Sequence, residues 1–141
     1  MAKRIIYTNE DGGVSIVVPA TNSGLTIEEI AAKDVPNGVP FDIVEDTEIM
    51  SDCMFRNAWR KQGRVISEDL ASARLIAHEK RRLARDAGMR PLDIQATIPS
   101  QARAAEAARA ALRTKYERLQ TNIDGAATVD DLRPLVAGLD Q

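Results

Sequence analysis

The hydrophobic pattern of this chain changes its period once, and that change limits what the chain can fold into. Before about residue 62, short β-branched runs alternate with turn residues, which is typical of strands and hairpins. From about residue 66, apolar residues recur in steps of three and four, which is typical of helices that face a core. We therefore predict an α+β fold with an N-terminal α+β lobe over residues 1–62 and a C-terminal helical region over residues 66–141.

Three strands are predicted in the N-terminal lobe. Residues 3–9 and 14–19 flank an Asp-Gly-Gly sequence, and glycine readily supplies the positive φ angles that tight hairpin turns require. These two runs are therefore expected to pair antiparallel. Because a two-stranded sheet alone is marginal in water, residues 41–45 are predicted to add the third strand.

A short helix is predicted over residues 26–35. Thr26 and Glu29 have the spacing of a capping box, and Leu25 and Ile30 are placed for a hydrophobic staple. Pro36 then ends the helix. We expect this helix to lie across the three-stranded sheet.

Trp59 is the only tryptophan in the chain. Because the lobe has few other large apolar side chains, Trp59 is expected to cover the open face or the edge of the sheet. The alternative is that Trp59 is exposed in the free protein and anchors a binding partner, as tryptophans often do at interfaces.

The first long helix is predicted to begin near Ser67. It should end at Gly88, because a glycine followed by a nearby proline, here Pro91, is typical of helix C-termini. Residues 88–97 are accordingly predicted to form a hinge. The apolar face of the helix is expected to comprise Ile66, Leu70, Ala73, Ala77, Leu83, Ala84 and Ala87.

Two further helices are predicted. The second is expected to hold Pro99 in its first turn and to end at Asp124-Gly125. The third, a short one, follows Thr128, which has the spacing of a capping box with Asp131. Pro134 conflicts with this short helix, so it is expected to start late or to kink. The complete prediction is thus a small antiparallel sheet with one short helix, then two long helices and a short third.

The second long helix carries a candidate protein interface. Seven alanines in residues 102–111 would let another helix approach closely, and few large apolar residues accompany them. One copy of the chain is therefore expected to lack the side chains that close a core, which favours a homo-oligomer or a helical partner. The interface is predicted to comprise Leu112, Tyr116, Leu119 and Ile123.

No catalytic signature is present in the sequence. The common phosphate-binding, nucleophile-elbow and metalloprotease motifs do not occur, so no catalytic, cofactor-binding or metal-binding residue is predicted. His78, the only histidine, is interpreted as a solvated helical side chain rather than a general base. Cys53, the only cysteine, is interpreted as a buried small apolar group rather than a reactive thiol.

An acidic cluster precedes the Trp59 segment. The spacing of its members does not match the ligand pattern of an EF-hand, so a solvated strand end with a helix cap is favoured over a metal site. The cluster comprises Glu45, Asp46, Glu48 and Asp52.

A basic strip runs beside the apolar face of the first long helix. Arg74, His78, Arg81 and Arg85 recur in steps of four, three and four residues. Such a strip could contact phosphate groups or an acidic protein surface. With a net charge of −2 and acidic residues on the same helix, a solvated or inter-subunit role for Arg74, Arg81 and Arg85 is favoured over nucleic-acid binding.

Four N-terminal segments resemble small proteins encoded among the tail genes of tailed bacteriophages. The C-terminal helices are similar in kind to the helices of those proteins. The segments are Lys3–Thr8 with Asp11-Gly12-Gly13, Gly24–Pro36, Gly38–Val44 and Phe55–Trp59.

The resemblance implies a non-enzymatic virion structural protein or a tail or tail-fibre assembly factor. Its implied partners are other copies of itself and phage tail or fibre proteins. A capsid decoration protein and a small nucleic-acid-binding adaptor are the alternatives. The chain contains no apolar run of about 20 residues and no apolar leader segment, so no membrane association is expected. The expected location is the virion or the host cytoplasm.

Overall fold

A computed structural model describes residues 2–139 and shows two compact units, Met1–Asp69 and Leu70–Gln141. The first unit contains antiparallel sheets and one short helix, and the second contains three helices. The predicted α+β class is therefore confirmed. The boundary between the two units along the chain follows Asp69. The predicted boundary lay between residues 62 and 66, but residues 65–68 form a strand of the first unit.

The larger sheet has the three predicted strands, β1 (Lys3–Thr8), β2 (Val14–Val17) and β3 (Phe41–Glu45). Their order is β2-β1-β3, and both pairings are antiparallel. The β1–β2 turn contains Gly12 at φ 82°, a conformation that favours glycine. This sequence prediction is confirmed because turn glycines and β-branched runs act locally.

Helix α1 (Ile27–Asp34) lies on one face of this sheet, as predicted. The Glu29 amide donates to Thr26 Oγ1 at 3.2 Å, and the Thr26 amide donates to the Glu29 carboxylate at 3.4 Å. Ile30 packs against the central-strand residue Ile5, and both are buried. Leu25, in contrast, remains 43% exposed, and the apolar cluster around Ile30 includes Ile27 instead.

Trp59 covers the opposite face of the same sheet. It packs with Ile6, Val14 and Val44, and only 1% of its surface is exposed. The guanidinium carbon of Arg56 lies 4.5 Å from the centre of the tryptophan ring. The expectation of a core role is confirmed, and the alternative of an exposed Trp59 is wrong for this structure.

A second, two-stranded sheet was not predicted. Strands β4 (Trp59–Gln62) and β5 (Val65–Glu68) are joined by a two-residue turn in which Gly63 has a φ of 58°. Ile66, assigned above to the first long helix, lies in β5 and packs against the Trp59 cluster. The strands are only four residues long, so their alternation was too short to distinguish from the start of a helical pattern.

Arginine side chains donate hydrogen bonds to backbone carbonyls on both outer strands of the larger sheet. Arg56 donates to the Val14 carbonyl of β2 at 2.6 Å, and Arg64 donates to the Ile43 carbonyl of β3 at 2.8 Å. Charged side chains at sheet edges hinder the addition of a further strand from another chain. One carbonyl on each outer strand therefore already has a partner within the chain.

Helix α2 (Leu70–Gln95) continues through the predicted stop at Gly88 and through Pro91. The predicted end at Gly88 and a hinge over residues 88–97 are therefore wrong, and the turn begins at Ala96. Gly88 has a packing role instead, because a Cβ at this position would lie 3.3 Å from Cδ1 of Leu112. Pro91 is on the exposed side of α2, where water can hydrate the backbone group that it leaves unpaired.

The remaining two helices are α3 (Ala102–Asp124) and α4 (Val129–Val136). Gly125 follows α3, and Thr128 forms the predicted capping box with Asp131. Pro99 lies in the turn before α3 rather than in its first helical turn. Pro134 lies inside α4, which nevertheless starts directly after its cap and not late.

Small side chains form the contact between the long helices. Ala73, Ala77 and Ala105 are fully buried, whereas Leu83 and Ala87 are exposed although they were assigned to the apolar face. Short side chains allow two backbones to approach closely. Met89 is also buried on α2, whereas Leu83 and Ile94 are exposed. The rest of the described core of this unit is Met89, Tyr116, Ile123, Ala126, Leu132 and Val136.

Replacement of Thr26 by alanine tests the cap of α1. The Glu29 amide would lose its side-chain acceptor, so we expect the free energy of unfolding of the N-terminal unit to fall by about 1 kcal/mol. Denaturation followed by the fluorescence of Trp59, which lies in this unit, measures the change. Thr21→Ala, at an exposed threonine of the same unit, is the control and should change stability by less than about 0.5 kcal/mol. Equal losses in the two variants would contradict the capping role.

Replacement of Trp59 by alanine tests its role in the core. The cavity left under the sheet should lower the stability of the N-terminal unit by about 3–5 kcal/mol. Hydrogen exchange at the β1 amides of Ile5 and Ile6 would report this loss as faster exchange. Phe41→Ala, at a partly exposed aromatic residue of the same sheet, should accelerate exchange far less. Unchanged exchange in Trp59→Ala would show that the ring does not stabilise the sheet.

Candidate functional site

The predicted interface residues on α3 are largely covered within the helical unit itself. Tyr116 and Ile123 are buried, whereas Leu112 and Leu119 are half-buried. Leu112 lies against Gly88 of α2, so it also has a neighbour in the same copy. Only Leu112 and Leu119 therefore keep surface that a partner could contact, and self-association through this stripe stays a prediction.

Arg74, the first member of the basic strip, binds the C-terminal end of α3. It donates to the Ile123 carbonyl at 3.3 Å and to the Ala126 carbonyl at 2.9 Å. Ile123 lies in the last turn of α3 and Ala126 follows its C-cap residue Gly125, and a cation at a helix C-terminus is favoured by the helix dipole. Arg74 thus serves the packing of α2 against α3.

His78 joins the same two helices, and its interpretation as a solvated side chain is wrong. Its side chain is 13% exposed, and Nε2 lies 2.7 Å from Oδ1 of Asp124. Arg81, which is buried, donates to His78 Nδ1 at 3.3 Å. Because Nδ1 accepts, Nε2 carries the hydrogen in this arrangement. Both ring nitrogens therefore have partners within the helical unit.

Cys53 is exposed, which corrects the expectation that it is buried. It lies in the connection between β3 and β4, and the buried position nearby is taken by Phe55. Cys53 and Phe55 lie in the same short apolar run of the sequence. Phe55 is the one that is buried, because its ring removes more apolar area from water.

The acidic cluster is organised around Glu48. Its carboxylate accepts from the Glu45 amide at 2.7 Å and lies 3.2 Å from the Arg64 guanidinium. The backbone hydrogen bond is the main cause that lowers the pKa of Glu48, and Arg64 adds to it. Within residues 2–139, no group of three or more histidine, cysteine or acidic side chains is arranged to hold a metal ion.

A cleft between α2 and α3, here called the arginine cleft, has a charged lining. It has a volume of about 360 Å³ and is lined by both positive and negative side chains. Only Arg85 among its residues was singled out from the sequence, because the α3 arginines belong to the cleft only once the two helices pack. Its charged lining comprises Arg85, Arg90, Arg109, Arg113, Asp86 and Asp93.

Carboxylates already orient the two α3 arginines of this cleft. Arg109 lies 3.2 Å from Asp93 and 3.3 Å from Glu106, and Arg113 lies 2.7 Å from Glu106. The hydrogen bond from Arg113 is the main cause that lowers the pKa of Glu106. Within the part of the chain that the structure describes, Arg85 and Arg90 form no ion pair or hydrogen bond through their guanidinium groups. The cleft therefore contains two guanidinium groups that are available to a ligand.

An exposed apolar stripe lies on α2. Leu83 and Ile94 are 60% and 66% exposed. Their separation of eleven residues is close to three helical turns, so they lie on the same side of the helix, with Ala87 between them. This stripe was not predicted, because Leu83 and Ala87 were assigned to the buried face.

No protein-family model, curated protein or solved structure matches this chain. Among the residues that the structure describes, no helix combines the length and the apolar character needed to cross a membrane. The two candidate sites of the helical unit are the arginine cleft and the apolar stripe of α2.

Replacement of Arg113 by glutamine tests the charge pairing at the cleft. Because Arg113 holds the pKa of Glu106 below its usual range, the variant should raise that pKa. In the native protein this pairing contributes stability above the usual carboxyl pKa and loses it as the pH falls through the lowered value. An NMR titration of the Glu106 carboxyl carbon measures the shift. Arg118→Gln, on the same helix, should leave Glu106 unchanged, and equal titration curves in all three proteins would contradict the pairing.

Proposed function

We propose that this chain is a non-enzymatic structural or assembly protein of a bacteriophage tail or tail fibre, and that it works by protein–protein association. The observation that carries the proposal is the exposed apolar stripe on α2. The resemblance of the N-terminal segments to phage tail-gene products supplies the setting, the virion or the host cytoplasm.

The stripe has the character of a protein-binding surface. Burying a leucine or isoleucine side chain contributes about 1.5–3 kcal/mol, so covering Leu83 and Ile94 favours association. The side chain of Ala87, which lies between them, is short, so it lets a partner helix approach closely. Two large exposed apolar side chains on one side of a helix are candidates for contact with a partner protein.

The sheet of the N-terminal unit supports the same choice of surface. Arg56 and Arg64 each donate a hydrogen bond to one carbonyl of an outer strand. Charged side chains at these positions disfavour association by strand addition. A helix face is therefore the better candidate for contact with a partner.

Nucleic-acid binding has less support. Arg74 is bound to the backbone at the end of α3, and Arg81 is buried against His78. Neither guanidinium can contact phosphate without opening the helical unit, so most of the basic strip is committed to packing.

The double variant Leu83→Gln with Ile94→Gln tests the proposal. It should abolish association of the chain with itself or with a co-expressed tail or fibre subunit, because the apolar area is lost. Light scattering and co-purification measure the two forms of association. The matched control, Ala107→Gln with Ala111→Gln on exposed positions of α3, should leave both unchanged.

Mass spectrometry of virions purified from the phage that encodes the chain tests the setting. A structural component is expected in the particle, and an assembly factor is expected in complex with a tail protein in the infected cell. A chain that stays monomeric by light scattering and co-purifies with no tail or fibre subunit would overturn the proposal.

A further inference from the structure

We infer that the arginine cleft between α2 and α3 binds the carboxylate groups of an acidic segment of a partner protein. This inference rests on the proposed function, because protein–protein association supplies the partner. The stripe on α2 would provide apolar contact, and the cleft would add recognition by charge.

Two arginines are available for such a ligand. Arg85 and Arg90 line the cleft from α2, and within residues 2–139 neither is paired with a carboxylate. An arginine presents up to five N–H donors in a planar fork, which matches the two oxygens of a carboxylate. The volume of about 360 Å³ admits a side-chain carboxylate with its neighbours.

Carboxylates of the chain itself already pair with the α3 arginines of the cleft. Glu106 is shared by Arg109 and Arg113 at 3.3 Å and 2.7 Å, and Asp93 lies 3.2 Å from Arg109. These pairs fix the α3 arginines in place. The α3 side of the cleft is therefore ordered before a ligand reaches Arg85 and Arg90, and preorganisation lowers the entropy cost of binding.

The acidic residues of the lining favour a carboxylate over a phosphate backbone. Asp86 and Asp93 lie among the arginines, so the positive potential is limited to part of the cleft. Glutamate carboxylates lie on flexible side chains that can turn away from these aspartates, whereas the phosphates of a nucleic-acid strand are part of its backbone.

Binding of hexaglutamate to the full chain, followed by NMR shifts of backbone amides, tests the inference. We expect shifts in residues 83–93 and 106–113, and none with hexaglutamine. The variant Arg85→Gln with Arg90→Gln should weaken binding about tenfold or more, because hydrogen bonds between charged groups are lost. Arg82→Gln with Arg118→Gln, which removes the same charge at exposed positions, should weaken it less than twofold.

A lysine variant separates the loss of the guanidinium group from any effect of lost charge on folding. Arg85→Lys with Arg90→Lys keeps the charge but removes the fork, so it should also weaken hexaglutamate binding by several-fold. Equal weakening in the cleft and control glutamine variants would overturn the inference, as would the lack of any shift with hexaglutamate. Tighter binding of hexathymidylate or of inorganic phosphate at the same amides would overturn it in favour of a phosphate site.

These measurements use the isolated chain and a synthetic peptide. Failure to bind hexaglutamate leaves association through Leu83 and Ile94 intact, whereas a chain that binds the peptide but joins no tail protein refutes the proposed function alone.

Discussion

The helical unit depends on the close approach of α2 and α3 through small side chains. Ala73, Ala77 and Ala105 are fully buried, and Gly88 leaves just enough room for Leu112. Packing is effective only when backbones come near enough for these short groups to touch, since the energy comes from many weak contacts at short range. On α2, Ala73 and Ala77 are buried, whereas the large residues Leu83 and Ile94 are exposed. The surface that we propose for association is thus a part of α2 that this core leaves uncovered.

Polar side chains complete that helix contact. Arg74 of α2 donates to the Ile123 and Ala126 carbonyls at the C-terminal end of α3. The pairing of His78 with Asp124 and with Arg81 then ties the helices together beside the apolar core. The basic strip of the sequence is therefore divided by the fold. Its inner members are structural, and Arg85, near its end, remains available in the arginine cleft.

Much of the N-terminal unit could be predicted because its signals act locally. The turn glycine Gly12 and the capping box of Thr26 depend on residues within a few positions, so they predict β1, β2 and α1 directly. The β4–β5 hairpin could not be separated from a helix start, because each strand has only four residues. The arginine cleft was missed for a different reason. Arg85 and Arg109 are far apart in the chain and become neighbours only when α2 packs on α3.

The sequence by itself determined the α+β class, the three-stranded sheet and the caps of α1 and α4, and it favoured the burial of Trp59. Each of these depends on hydrophobic period, on backbone preference or on the size of one apolar side chain. The tertiary structure alone decided that α2 passes through Gly88 and Pro91, that His78 is enclosed and that Cys53 is exposed. A helix-breaking residue ends a helix only when nothing compensates for its cost, and packing against α3 is such a compensation. Long-range packing therefore overrode the local stop signal and also selected which charged groups remain free for a partner.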